Sequence, residues 1–378
     1  MPPRRFGTPR ASEAQRLARR TTALPAPSDA YLAATTLPSS SLPLDEPLPS
    51  DHPSPIVVLS LNQSLIFRKF RTANGARQPC ARPFLAPFIE YVTGVDPPSS
   101  KSSSSAASAT SVEPDRSRFR PVIYSAMRGP NLFTLLAALD LIPSSRVPSA
   151  NSTKYFDVMR TYEAYEPDFE AGDVLSLILS RETMGLSPEE YEGDVQATKD
   201  LRKVWEGLDL LKKGETTSVD DLSSALEGIS LGGQGDNSLS LDETGAKVTV
   251  LLDDEEAAAT QFPHSLLRVT TFAPASGTGR SQPSRTAPLA AVDLPASHPD
   301  ANDTHLLALV YLLHRLRYET NIAAALRGGF VEKVKKEVGG EKEMVKRGRE
   351  VCERAGIEVR REWDPEWRQK MLAKEERA

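Results

Sequence analysis

Apolar residues in this chain come in short, dense runs separated by polar turns. The first run, Ile56–Ser60 (IVVLS), is almost wholly apolar and rich in β-branched residues, the pattern of a strand buried on both faces of a parallel sheet. A polar turn follows, Asn62-Gln63-Ser64, and the chain leaves it on a second apolar pair, Leu65-Ile66. Runs of the same kind predict strands at Pro121–Ala126 (PVIYSA), Val248–Leu252 (VTVLL) and Leu266–Phe272. Val174–Ser180 (VLSLILS) suits either a strand or a helix.

Elsewhere the apolar spacing is helical. Arg82–Val92 carries Phe84, Phe88 and Tyr91 on one stripe, with Pro83 near its first turn. Asn131–Leu139 and Leu201–Trp205 read the same way. Thr304–Leu326 reads as one long helix, with Leu306, Val310, Leu313, Leu316 and Ile322 in register, stopping at Gly328-Gly329. Beyond Val331 the chain is dense in Lys, Glu and Arg, with an amphipathic segment near Glu341–Ala355. Trp363 and Trp367, four apart, read there as a packing anchor. Strands alternating with helices predict an α/β protein: a three-layer parallel sheet with helices on both faces.

Composition then sets the limits of that domain. The chain has 378 residues and thirty prolines, many of them in Ser-rich tracts that cannot bury a core. Pro25–Pro55 reads as an extended linker. Pro97–Ser117, Lys213–Lys247 and Ala273–Asp300 read as insertions that loop out of a domain covering residues 55–330, followed by a charged helical extension over 331–378. Residues 1–24 hold six arginines against one acid, Glu13. That is the composition of a mitochondrial presequence, although Pro2, Pro3 and Pro9 break a helix early; a disordered basic tail or a weak nuclear signal has the same make-up. Localisation therefore stays open between mitochondrial and nuclear or cytoplasmic. A net charge of −5 gives no case for nucleic-acid binding. Cys80 and Cys352 form neither a disulfide framework nor a metal-ligand spacing, which points to a reducing compartment. The longest apolar run, Leu306–Leu313, has eight residues, where a membrane span needs about 18–20. No transmembrane segment is expected.

Candidate chemistry gathers where strands end. Ser60 and Asn62 close the first strand, Ser125 closes the second, and Asp253-Asp254 closes the strand at 248–252. Lys199 stands between them in sequence. In open α/β sheets the carboxyl ends of the strands are where ligands bind. Taken singly, each residue is an ordinary turn or surface residue; their order along the chain is the signal.

The same blocks carry a family likeness. VVLSLNQSLIFR (57–68), RPFLAPFIEYV (82–92), VIYSAMRGPNLFTLLAAL (122–139), LSRETMGLSPEEYEGDVQATKDLRKVW (179–205), VTVLLDDEEAAATQFPHSLLRVTTF (248–272) and DTHLLALVYLLHRLRYETNIAAAL (303–326) together resemble the NLI-interacting-factor-like, or CTD-phosphatase-homology, branch of the haloacid dehalogenase (HAD) superfamily, in its fungal form. The resemblance implies a HAD-like, Rossmannoid parallel sheet. It also implies a phosphoryl-transfer site in which an aspartate attacks phosphorus and ligates Mg²⁺. Ser60 stands at the place of that nucleophile and Asn62 at the place of the general acid/base. Ser125 and Lys199 match the phosphate-binding pair, and Asp253 and Asp254 match the metal-binding pair, Asp254 being the better placed. Gln63 replaces a glycine.

A serine hydroxyl needs a neighbouring base to attack, and Asn62 cannot serve as one. The change also removes a carboxylate from the cation, so Mg²⁺ is expected to be held weakly or not at all. The resemblance, so modified, implies a pseudophosphatase that binds a protein or phosphopeptide partner. Two alternatives share the domain: a subunit like the presequence receptor of the mitochondrial inner-membrane import translocase, and an active Mg²⁺-dependent protein serine/threonine phosphatase.

Overall fold

The run at residues 56–60 becomes the middle strand of the sheet. In the computed structural model, which describes residues 13–21, 23–49, 52–71, 77–94, 118–147, 174–208, 240–274, 293–294 and 297–363, seven strands form. They are β1 (Ile56–Leu59), β2 (Ile66–Arg71), β3 (Arg77–Ala81), β4 (Arg120–Tyr124), β5 (Leu177–Leu179), β6 (Thr249–Asp253) and β7 (Leu266–Arg268). Five of them make one sheet in the order β5-β4-β1-β6-β7, every neighbouring pair parallel. The ambiguous segment at 174–180 is thus an edge strand. β2 and β3 pair antiparallel as a separate hairpin immediately after β1, which the apolar pair Leu65-Ile66 alone does not announce.

The described helices are α1 (Glu13–Ala18), α2 (Asp29–Thr36), α3 (Leu85–Thr93), α4 (Gly129–Ala138), α5 (Pro188–Glu192), α6 (Leu201–Gly207), α7 (Leu241–Val248), α8 (His305–Leu316), α9 (Ile322–Arg327), α10 (Phe330–Val338) and α11 (Glu341–Arg354). They lie on both sides of the sheet because β1 is apolar on both. Its four residues are fully buried, and successive side chains point to opposite faces. Val57 and Leu59 belong to one core with Phe88 of α3, Leu136 of α4, Leu313 of α8 and Cys352 of α11. Ile56 and Val58 belong to the other, with Tyr31 of α2, Val204 and Trp205 of α6, and Ala323 of α9. Burying each such aliphatic side chain is worth about 1.5–3 kcal/mol. The protein is a three-layer α/β fold. Chain order runs outward from β1 through β4 to β5 and then returns to β6 on the far side of β1. That reversal leaves a crevice at the carboxyl ends of β1 and β6.

Several sequence expectations are corrected. The stretch 25–55 is not an extended, coreless linker. Ser28 caps α2 by accepting from the Tyr31 N–H, and Tyr31 is fully buried, its hydroxyl accepting from the His264 N–H at 2.9 Å. Nor is residues 1–24 wholly a free tail, since α1 is docked on the domain. The loop reading of 213–247 fails at its end, where Ser240 caps α7 and that helix runs straight into β6. The single helix expected over 304–326 is two. Ser41 bridges Glu319 in β fashion, Thr320 N–H donates to Ser40 O at 3.0 Å, and the Glu319 carboxylate takes the hydroxyls of Ser39 and Ser41. These pull residues 317–321 out of the helix, and Asn321 restarts it by capping α9 through the Ala324 N–H. The segments 97–117 and 213–239, most of 273–300, and Trp367 lie outside the described residues. Trp363 is buried as an anchor should be, with its N–H on the Asp293 carboxylate at 2.7 Å. Among the described residues no helix is long and apolar enough to cross a membrane.

One buried cation ties these parts together. Arg82 is 1% exposed. Its Nη1 donates to Ser64 O and to Thr270 O, both at 2.8 Å, its Nη2 to Thr270 Oγ1 at 2.6 Å, and its Nε to Asp303 Oδ2 at 2.8 Å. The turn after β1, the chain beyond β7 and the start of α8 thereby share one guanidinium. Beside it, burial pushes the His305 imidazole down to about 4, so the neutral ring accepts from the Thr270 N–H. Arg82→Met is expected to lower unfolding free energy by about 3–5 kcal/mol, because it strands a carboxylate and two carbonyls. Arg82→Lys should recover only part of that loss, since an ammonium cannot reproduce the planar fork. Urea denaturation followed by circular dichroism measures both.

Candidate functional site

The crevice at the strand ends is a cavity of about 520 Å³. All six residues singled out from the sequence line it: Ser60, Asn62, Ser125, Lys199, Asp253 and Asp254. Parallel register explains this. Leu59 pairs with Ile123 and with Leu252, so the residues that follow these strands emerge side by side. Ser60 N–H donates to Leu252 O, and Ser125 N–H to Leu179 O, each at 3.0 Å, which extends the ladder by one step into the site.

Each side chain has a definable state. Lys199 and Asp253 are both buried, and the Lys199 Nζ is bonded to Asp253 Oδ2. The other oxygen, Asp253 Oδ1, accepts from the Glu255 N–H at 3.0 Å. Asp253 is therefore a neutralised, internally satisfied carboxylate. Lys199 is fixed from behind by its own N–H on Ala258 O at 2.8 Å, and Asp200 next to it caps α6. Ser125 is 2% exposed, and its Oγ accepts from the Met127 N–H at 3.3 Å, turning the chain toward α4.

Asp254 differs from Asp253. Its Oδ1 accepts from the buried Ser64 hydroxyl at 3.1 Å, and no lysine or arginine is bonded to it among the described residues. Burial first, then the neighbouring Asp253 and Glu255 charges, pushes its carboxyl up to about 6. Ser60 is 8% exposed, and among the described residues its Oγ bonds no imidazole or carboxylate. No histidine lines the cavity among them either. The Asn62-Gln63-Ser64 turn is tight: Gln63 sits at φ +68°, where a side chain costs about 1–2 kcal/mol relative to glycine.

Residues that the sequence reading did not single out complete the wall. Arg16 of α1 is 5% exposed, with its guanidinium on the Glu255 carboxylate, and Gln196 Nε2 donates to the same carboxylate at 3.0 Å. Arg181 also lines the cavity, with its Nε on the carbonyl of Tyr191 and its Nη2 on those of Glu190 and Gly193. Half-buried Arg68 enters from the hairpin. Glu255 was legible only as part of an acidic run, and Arg16 only as one of many N-terminal arginines.

Among the described residues the cavity is lined by two hydroxyls (Ser60, Ser125), two amides (Asn62, Gln196), the Lys199 ammonium, the guanidinium groups of Arg16, Arg68 and Arg181, and four carboxylates, of which Asp254 has the raised pKa and bonds no lysine or arginine. A hard cation would draw on Asp253 and Asp254. Because Lys199 already occupies Asp253, the donor set left to it is essentially one carboxylate and neutral oxygens, and among the described residues no group of three or more His, Cys, Asp or Glu side chains could hold a metal ion. No protein-family model matches the chain, and a search of curated proteins finds no match.

The Asp254 carboxyl gives a pH signature. Folded, it protonates near pH 6; its ordinary value is 3.8. The folded protein therefore binds the extra proton between those limits. The ionised group is a load on stability above pH 6, relieved as pH falls through 6 toward 4. In metal-free buffer, Asp254→Asn should stabilise the protein near neutral pH by on the order of 1–3 kcal/mol. The gain should vanish near pH 4. Thermal melts across that range test both the sign and the window.

Proposed function

We propose that this chain is a HAD-type, CTD-phosphatase-homology protein that has lost phosphoryl turnover and keeps its cavity to bind a phosphorylated or other protein partner. One observation carries the reading. The side chain at the end of the central strand, where phosphoryl attack would start, is a serine with no base within bonding reach among the described residues. A hydroxyl so placed keeps its high pKa and is a poor nucleophile at neutral pH. Loss of such a group lowers rate by on the order of 10³–10⁶.

The rest of the cavity supports binding in place of turnover. Ser125 can donate its hydroxyl to a phosphoryl oxygen. Lys199 can share its ammonium between such an oxygen and Asp253, since an ammonium carries three donors. Bound Mg²⁺ would neutralise charge on the phosphoryl group. Held chiefly by Asp254, it would bind weakly.

The test is hydrolysis of a generic aryl phosphate by the full chain, with and without Mg²⁺. Wild type should be inert, and Ser60→Asp should gain Mg²⁺-dependent turnover that Asp254→Ala removes. Binding without turnover should appear as a rise in Tm with a phosphoserine peptide, lost in Ser125→Ala. Wild-type hydrolysis that Asp254→Ala abolishes would instead assign the chain to the active phosphatases.

A further inference from the structure

The wall of the cavity that comes from the N-terminus is held in an unusual way. Among residues 15–21 only Arg16 is buried, while Leu17 beside it is 39% exposed. A helix docked by the hydrophobic effect would show the opposite pattern. What holds this segment is polar. The Arg16 guanidinium meets Glu255, Arg16 O accepts from the Gln196 N–H at 3.1 Å, and Arg20 Nη1 donates to Gln196 O at 3.1 Å. Thr21 N–H donates to Glu190 Oε1 at 2.8 Å, and Arg19 lies 3.8 Å from Asp194.

The fit is also incomplete. Arg16 Nε and Gln196 Oε1 are buried with no hydrogen-bond partner among the described residues, a cost that the Arg16–Glu255 pair must offset. Glu255, which receives Arg16, directly follows Asp253 and Asp254 in the same cavity lining as Ser60.

We propose that residues 13–21 form an electrostatic latch on the cavity, closed by the Arg16–Glu255 ion pair and opened when that pair is screened or outcompeted. The proposal stands whether or not the cavity turns over phosphate. It assigns to the N-terminal arginines a resident docking groove along residues 190–198 and 255, within the chain itself. A latch built from charge and backbone bonds, with no buried apolar side chain among residues 15–21, should weaken as the screening length shrinks from roughly 30 Å at 0.01 M salt to roughly 3 Å at 1 M.

Hydrogen exchange of the full chain, read by mass spectrometry at those two salt concentrations, tests it. Peptides covering residues 13–21 and 194–198 should exchange at least about tenfold faster at high salt, as loss of about 1.4 kcal/mol of closure would give. A peptide covering β1 should not change. Arg16→Glu should produce the same increase at low salt, and Arg16→Glu combined with Glu255→Arg should restore protection. Access to the cavity is read separately through Ser60→Cys, whose thiol should react with a disulfide reagent several-fold faster when Arg16→Glu is added; Cys80 and Cys352, 2% and 0% exposed, keep the background low. Exchange over 13–21 that ignores both salt and Arg16→Glu would overturn the latch. So would free-peptide exchange of that segment at low salt, or Ser60→Cys labelling indifferent to Arg16→Glu.

Discussion

The geometry of this protein depends on a single guanidinium placed where water cannot reach it. Arg82 satisfies carbonyls on two loops and a carboxylate at a helix start, and so joins all three pieces of chain through one side chain. Ser64 is one of them, and its hydroxyl is the group that holds Asp254. The position of the unpaired carboxylate in the cavity is therefore set about two bonds of influence away, by a residue that does not line the cavity. A buried charge of this kind is a poor source of net stability but a strict determinant of geometry, because only one arrangement satisfies it.

Charge within the cavity is arranged by the same logic. Lys199 answers Asp253 and Arg16 answers Glu255, while Arg181 is consumed by carbonyls. Asp254 bonds no lysine or arginine among the described residues, and burial, with the field of its neighbours added, drives its carboxyl toward the protonated form. A nucleophilic carboxylate at position 60 would add a further negative charge to this group. With serine there, that charge is missing, and the Lys199 ammonium is bonded to Asp253.

Much of this was legible in the sequence, for a physical reason. Strands buried on both faces must be apolar along their whole length, so β1, β4 and β6 appear as unmistakable runs, and the first polar residues after them must lie at the sheet's edge. Ser60, Ser125, Asp253 and Asp254 follow from that alone, whereas Lys199 lies on no strand end and was marked only by its order along the chain. The N-terminal region was not legible, because its contacts are made by one tyrosine, a few serines and an arginine within proline-rich sequence whose composition matches that of a linker. The break at 317–321 was hidden for a related reason: the apolar register of α8 and α9 is continuous, and what interrupts it is a strand-like contact from Ser39–Ser41, nearly three hundred residues away in the chain.

That contact has a consequence for how the N-terminus behaves. Residues 39–42 are fastened to 318–320 and α2 is packed by Tyr31, so the arm bearing Arg16 is tied down about a dozen residues beyond it. A short tether of that length keeps its free end at an effective concentration in the millimolar range around its own groove. An opened arm thus returns quickly to its place, and any external basic segment competing for Glu255 faces a local rival thousands of times more abundant than a micromolar partner in solution.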